Sequence, residues 1–136
     1  MGAMLINYST YSYAQQETWE FYSETKGVKL YVQSDECNDF ANGIYNEFIL
    51  VKMQNTNQRD KRVKISYSLF YDGRKYTTSE LDNIKGYTFI IKANEEIIGD
   101  CSNKAYENLK IFKRFLNYND KPVLTGYKIY LTVEDL

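Results

Sequence analysis

The chain has 136 residues, 43% hydrophobic and 26% charged, a balance that suits one globular domain and is too apolar for disorder. A formal charge of -1 gives no field of one sign to attract nucleic acid, and no apolar run approaches the ~18 residues that span a bilayer. Histidine is absent, which excludes Ser-His-Asp and Cys-His catalysis and any histidine-bearing zinc site.

Met1-Gly2-Ala3-Met4 reads as a tag-removal scar ahead of a cloned start. Ser12-Tyr13-Ala14 before Gln15 has the small-x-small form of a signal-peptidase site, and the polar residues after it suit a mature N-terminus. Residues 1–14 are therefore read as scar and signal-peptide remnant, and 15–136 as one exported domain, secreted or periplasmic.

Period-2 alternation begins at Val28. Val28, Leu30 and Val32 share one strand face, with Lys29, Tyr31 and Gln33 on the other. Ser34 to Gly43 (SDECNDFANG) reads as a loop whose Asn42-Gly43 turn feeds the next strand. Tyr45 to Gln54 is apolar on both faces, as a central strand requires: Ile49, Val51 and Met53 alternate with Phe48 and Leu50. Asn55 to Lys61 (NTNQRDK) reads as a polar turn.

The clearest strand follows, with Val63, Ile65, Tyr67, Leu69 and Tyr71 on one face. Asp72-Gly73 offers the positive φ angles of a tight hairpin, and Lys75 to Thr78 a short returning edge strand. Tyr87, Phe89 and Ile91 mark another strand. Leu109 to Phe115 fits a strand, or a helix capped by Ser102 in which Ala105, Leu109, Phe112 and Leu116 recur; the neighbouring strands favour the former. A helical turn near Asn103–Asn108 suits both. Val123 to Glu134 closes the pattern, with Tyr127, Ile129, Leu131 and Val133 on one face. The sum is all-β: an antiparallel sandwich of about seven strands, with a small barrel as the other solution.

The run YNEFILVKMQNTNQRDKRVKISYSLFYDG, Tyr45 to Gly73, resembles successive strands of immunoglobulin-like domains in exported bacterial (Bacteroidota-type) proteins. The resemblance implies an immunoglobulin-like sandwich and carries over no catalytic residue. The single tryptophan, Trp19, lies outside the strand where antibody domains bury theirs.

Cys37 and Cys101 stand 64 positions apart. In an exported chain an even count favours a disulfide between them, ahead of two free thiols or a reactive cysteine. Asp35, Glu36, Asp39 and Glu47 could present hard oxygen ligands, but the order is not that of an EF-hand and a solvated surface is the simpler reading.

Fourteen tyrosines accompany a composition in which Asn, Lys, Ile and Tyr exceed a third of the chain, as AT-rich codons produce. Tyr31, Tyr76 and Tyr130 fall opposite the apolar faces and are the candidates for an aromatic binding face. No cofactor is called for. The expected function is non-enzymatic: binding a protein partner or assembling at the envelope, by strand addition at an edge or through a loop. The alternative is a carbohydrate-binding module using exposed tyrosines.

Overall fold

The computed structural model describes residues 18–77, 86–117 and 122–136. The signal-peptidase reading at Ser12–Gln15 and the end of the expected edge strand, Thr78, lie outside the described residues.

Nine strands are seen among the described residues: β1 (Glu20–Thr25), β2 (Val28–Asp39), β3 (Ile44–Asn55), β4 (Lys61–Tyr71), β5 (Arg74–Thr77), β6 (Tyr87–Ile91), β7 (Glu96–Ile98), β8 (Lys110–Phe115) and β9 (Leu124–Asp135). All pair antiparallel, in two sheets. Sheet A runs β1-β2-β3, with β7 and β8 placed end to end along the far side of β3. In sheet B, β9 follows the whole length of β4 on one side, while β5 and β6 share the other.

The all-β sandwich expected from the alternation is the observed architecture, with nine strands in place of about seven. Two were missed for physical reasons. β1 carries a bulge between Phe21 and Ser23 that breaks its period-2 signal. β7 has three residues, too few to show a period.

Two tight turns follow from residues that tolerate positive φ. Asp72 (φ 54°) and Gly73 (φ 81°) join β4 to β5 as expected, and Lys26 (φ 47°) with Gly27 (φ 80°) joins β1 to β2. A Cβ at Gly27 would also lie 2.6 Å from the Asn57 side-chain amide, which would have to shift. The Ser34–Gly43 segment is not a loop throughout. β2 continues to Asp39, every residue from Val28 onward having a partner in β3, and only Phe40–Asn42 forms a 3-10 turn closed by Gly43. The polar face of this extension hid the strand.

The ambiguous segment resolves into both of its parts. Lys104–Leu109 forms 3-10 turns kinked at Tyr106; the cap is Asn103 in place of Ser102, with Asn103 Oδ1 accepting from Ala105 N–H, and β8 follows directly.

The core lies between the sheets. Val28, Leu30, Val32, Val51 and Met53 face Val63, Ile65, Leu69, Ile129 and Val133, all buried. Two tyrosines bolt the layers together. Tyr67 and Tyr71 of β4 donate their hydroxyls to the carbonyls of Asn108 and Phe112. Burial pushes the Tyr71 hydroxyl up to about 12 and drives that of Tyr67 further in the same direction, so both stay protonated donors. At the sandwich seam the β1 bulge turns Tyr22 inward. Its hydroxyl accepts the Ile129 N–H of β9 at 2.9 Å, and its ring stacks on Tyr127.

Candidate functional site

Alternation fixes what the outer face of sheet A displays. With Leu30, Val32, Val51 and Met53 turned inward, Tyr31 and Lys52, direct partners in the ladder, turn outward. Phe21 of β1 pairs with Tyr31, so a row crosses three strands: Phe21, Tyr31, Lys52. Trp19 joins it at the start of β1. Lys52 Nζ stands 5.0 Å from the Trp19 ring centre and 4.8 Å from that of Tyr31. This cation–π pairing holds the two rings around one charge. Phe21 meets Tyr31 edge-to-face, centroids 5.9 Å apart and planes at 76°, and remains 59% exposed.

The disulfide lies on the same outer face. Cys37 and Cys101 are joined, as the even cysteine count had led us to expect. Cys37 is in β2, opposite Asn46, and the Cys101 segment is held there between β7 and β8. Lys110 Nζ donates to Cys101 O while lying 4.9 Å from the Phe48 ring centre. The staple therefore anchors the β7–β8 connection across β3, on the side where Leu50, although outward, is 3% exposed.

Of the expected aromatic face, the structure brings together less than the sequence suggested. Tyr31 belongs to the outer face of sheet A, whereas Tyr130, 52% exposed, lies on that of sheet B. They cannot contribute to one platform. Tyr76 is opposite Leu69 in the β4–β5 ladder. The residues that do gather around Tyr31 are Trp19, Phe21 and Lys52. The signal for them was the alternation Trp19-Glu20-Phe21, obscured by the bulge one residue later.

Behind this face, where β9 begins, the sheets part around a cleft of about 420 Å³. Its lining includes Glu20, Gln33, Ser34, Lys113, Thr125 and Tyr127. One side of the cleft borders a charge cluster built by a second bulge. Phe48 pairs with Phe112 and Glu47 with Arg114, which leaves Lys113 as the extra residue, so two successive cations reach one carboxylate. Glu47 Oε1 accepts from Arg114 Nε at 2.7 Å; Oε2 accepts from Ser34 Oγ at 3.1 Å and lies 3.4 Å from Lys113 Nζ.

Partial burial acts to raise the Glu47 carboxyl. The bonds from Arg114 and Ser34, together with the charge and bond of Lys113, outweigh it and hold the group below its ordinary 4.5. A carboxyl depressed on folding stabilises the protein above its unfolded value, and that stability is lost as the pH falls through the folded value. Glu47→Gln is therefore expected to flatten the acid limb: between about pH 5 and about pH 3 the variant should lose less stability than the parent in urea melts. Parallel acid limbs would show that the cluster contributes nothing on folding.

Among the described residues no helix is long and apolar enough to cross a membrane. Compared with protein-family models, curated proteins and solved structures, the chain matches none.

Proposed function

We propose that this chain is a non-catalytic binding module of an exported protein, engaging another protein through the outer face of sheet A. The observation that carries the reading is the Trp19–Phe21–Tyr31 group around Lys52. Phe21 is exposed and Trp19 and Tyr31 are half-buried beside it. Aromatics gathered in this way on a rigid sheet are the residues that anchor protein interfaces, because each buries a large area at little entropic cost. The disulfide suits an oxidising compartment, where such bonds persist. A sugar-stacking platform is the weaker reading for this face. Flat stacking needs rings that share a plane, and Phe21 stands nearly perpendicular to Tyr31.

The test places a photo-crosslinking residue at position 21 and, as a control on the opposite sheet, at position 130, in cells of the native host. A single adduct of defined mass is expected from position 21 and not from 130. Tyr31→Ala should weaken that adduct at least tenfold, the loss of about 1.4 kcal/mol or more typical of a central anchor. Identical adduct patterns from both positions, or none from 21, would refute the outer-face reading.

A further inference from the structure

Ladder partners share a sheet face. Phe21, Tyr31 and Lys52 are successive partners on the outer face of sheet A, and Ile98 of β7 pairs with Lys52 on its other side. The row thus sets one ammonium between apolar groups on four neighbouring strands. Lys52 is half-buried, and its charge is held by the Trp19 and Tyr31 rings. Among the described residues no carboxylate pairs with it, and its ammonium donates no hydrogen bond.

The neighbouring charges do not supply that partner. Glu24 stands across the ladder from Lys29, and Glu96 across from Gln54, two residues along β3 from Lys52. Asp35 pairs with Phe48, further along the same strand. Glu20 precedes Phe21 but pairs with the inward-facing Val32, so it belongs to the other side of the sheet. Lys110, which donates to Cys101 O, adds charge of the same sign. A protein that covers this face takes water away from Lys52. An ammonium covered without an anion is strongly unfavourable, and two ring faces offset only part of that cost. A partner lacking a carboxylate at this point is therefore rejected.

We propose that the partner on this face is a protein presenting an aspartate or glutamate between apolar side chains. The carboxylate meets Lys52 Nζ as a charge-assisted hydrogen bond, and the apolar neighbours lie against Phe21 and Ile98. With rings and aliphatic groups on both sides, little water remains to screen the pair. The proposal rests on the outer-face reading above and adds to it the charge by which the partner is selected.

The experiment starts from the adduct captured through position 21. A water-soluble carbodiimide, which condenses an amine with a carboxyl in direct contact and takes up the water lost, is added to that complex. The linked peptides are then read by mass spectrometry. Lys52 is expected to be joined to an aspartate or glutamate of the captured protein. Lys52→Met, which keeps the aliphatic stem and removes the charge, should lower the yield of adduct at least about tenfold. Lys52→Arg should keep it within a few-fold, and Lys64→Met, on the outer face of sheet B, should leave it unchanged. An adduct undiminished by Lys52→Met, or a complex in which carbodiimide links nothing to Lys52, overturns the proposal and leaves the outer-face reading standing. No adduct from position 21 overturns both.

Discussion

Replacing Asn55 with alanine is expected to lower unfolding stability by roughly 2–3 kcal/mol, because one buried and several part-buried groups lose their partners together. Asn55 is fully buried at the end of β3. Its Nδ2 donates to Ile91 O and Arg59 O at 2.9 Å and to Lys92 O at 3.2 Å. Its Oδ1 accepts from the backbone N–H and the amide of Asn57, both at 2.9 Å. One side chain thus joins the β3–β4 turn of sheet A to the end of β6 in sheet B. The neighbouring residues extend the clamp, with Thr56 Oγ1 and Asn57 Nδ2 donating to Gly27 O and Lys26 O. Asn55→Asp sharpens the test. It keeps the shape but turns a donor into an anion facing three carbonyls, so at neutral pH it should be at least as damaging as alanine. Chemical denaturation of the three proteins measures this, and a loss below about 1 kcal/mol in both variants would mean that water replaces the amide.

Removing the Cys37–Cys101 bond is the second large effect. A sequence separation of 64 gives about 4 kcal/mol in the chain-entropy model. For a domain of this size that corresponds to a fall of roughly 10–20 °C in Tm. The paired variant Cys37→Ala/Cys101→Ala is the clean comparison, since either single variant leaves a free thiol. The loss should appear in global stability and also locally. Amide exchange should quicken at the Cys101 segment and at the start of β8, which the staple holds over β3, more than in β4 or β9. Unchanged Tm on reduction would show that the unfolded chain already keeps these segments close.

Much of the fold was legible because alternation is strong wherever one sheet face is buried. Val28-Leu30-Val32 and Val63-Ile65-Tyr67-Leu69 announced themselves, and Asp72-Gly73 announced its turn. What stayed hidden has physical reasons. Asn55-Thr56-Asn57 has the composition of a solvated turn, and nothing local shows that two other turns will close over it. Ser34–Asp39 is polar on both faces, so its strand character comes from pairing with β3, not from its own pattern. Bulges hid the rest. One extra residue at Tyr22 masked the strand that carries Trp19 and Phe21, and another at Lys113 brought Lys113 and Arg114 to Glu47 across 66 positions of sequence. The disulfide partners could be named because there were just two cysteines to join. The aromatic group around Lys52 could not, because it depends on which strands become neighbours.

The pairing of β4 with β9 also sets a timetable for the nascent chain. Sheet A begins as a meander of consecutive strands, β1 to β3, which can form as soon as it leaves the ribosome. β4 must wait for β9, whose first residue comes 53 positions after its own last. At ordinary synthesis speeds that delay is roughly 3–10 s, whereas chain collapse takes far less than a millisecond. For those seconds the face bearing Leu30, Val51 and Met53 has half of its opposing layer missing. A translation pause or a holding chaperone acting in that interval is therefore expected to change the yield of folded chain.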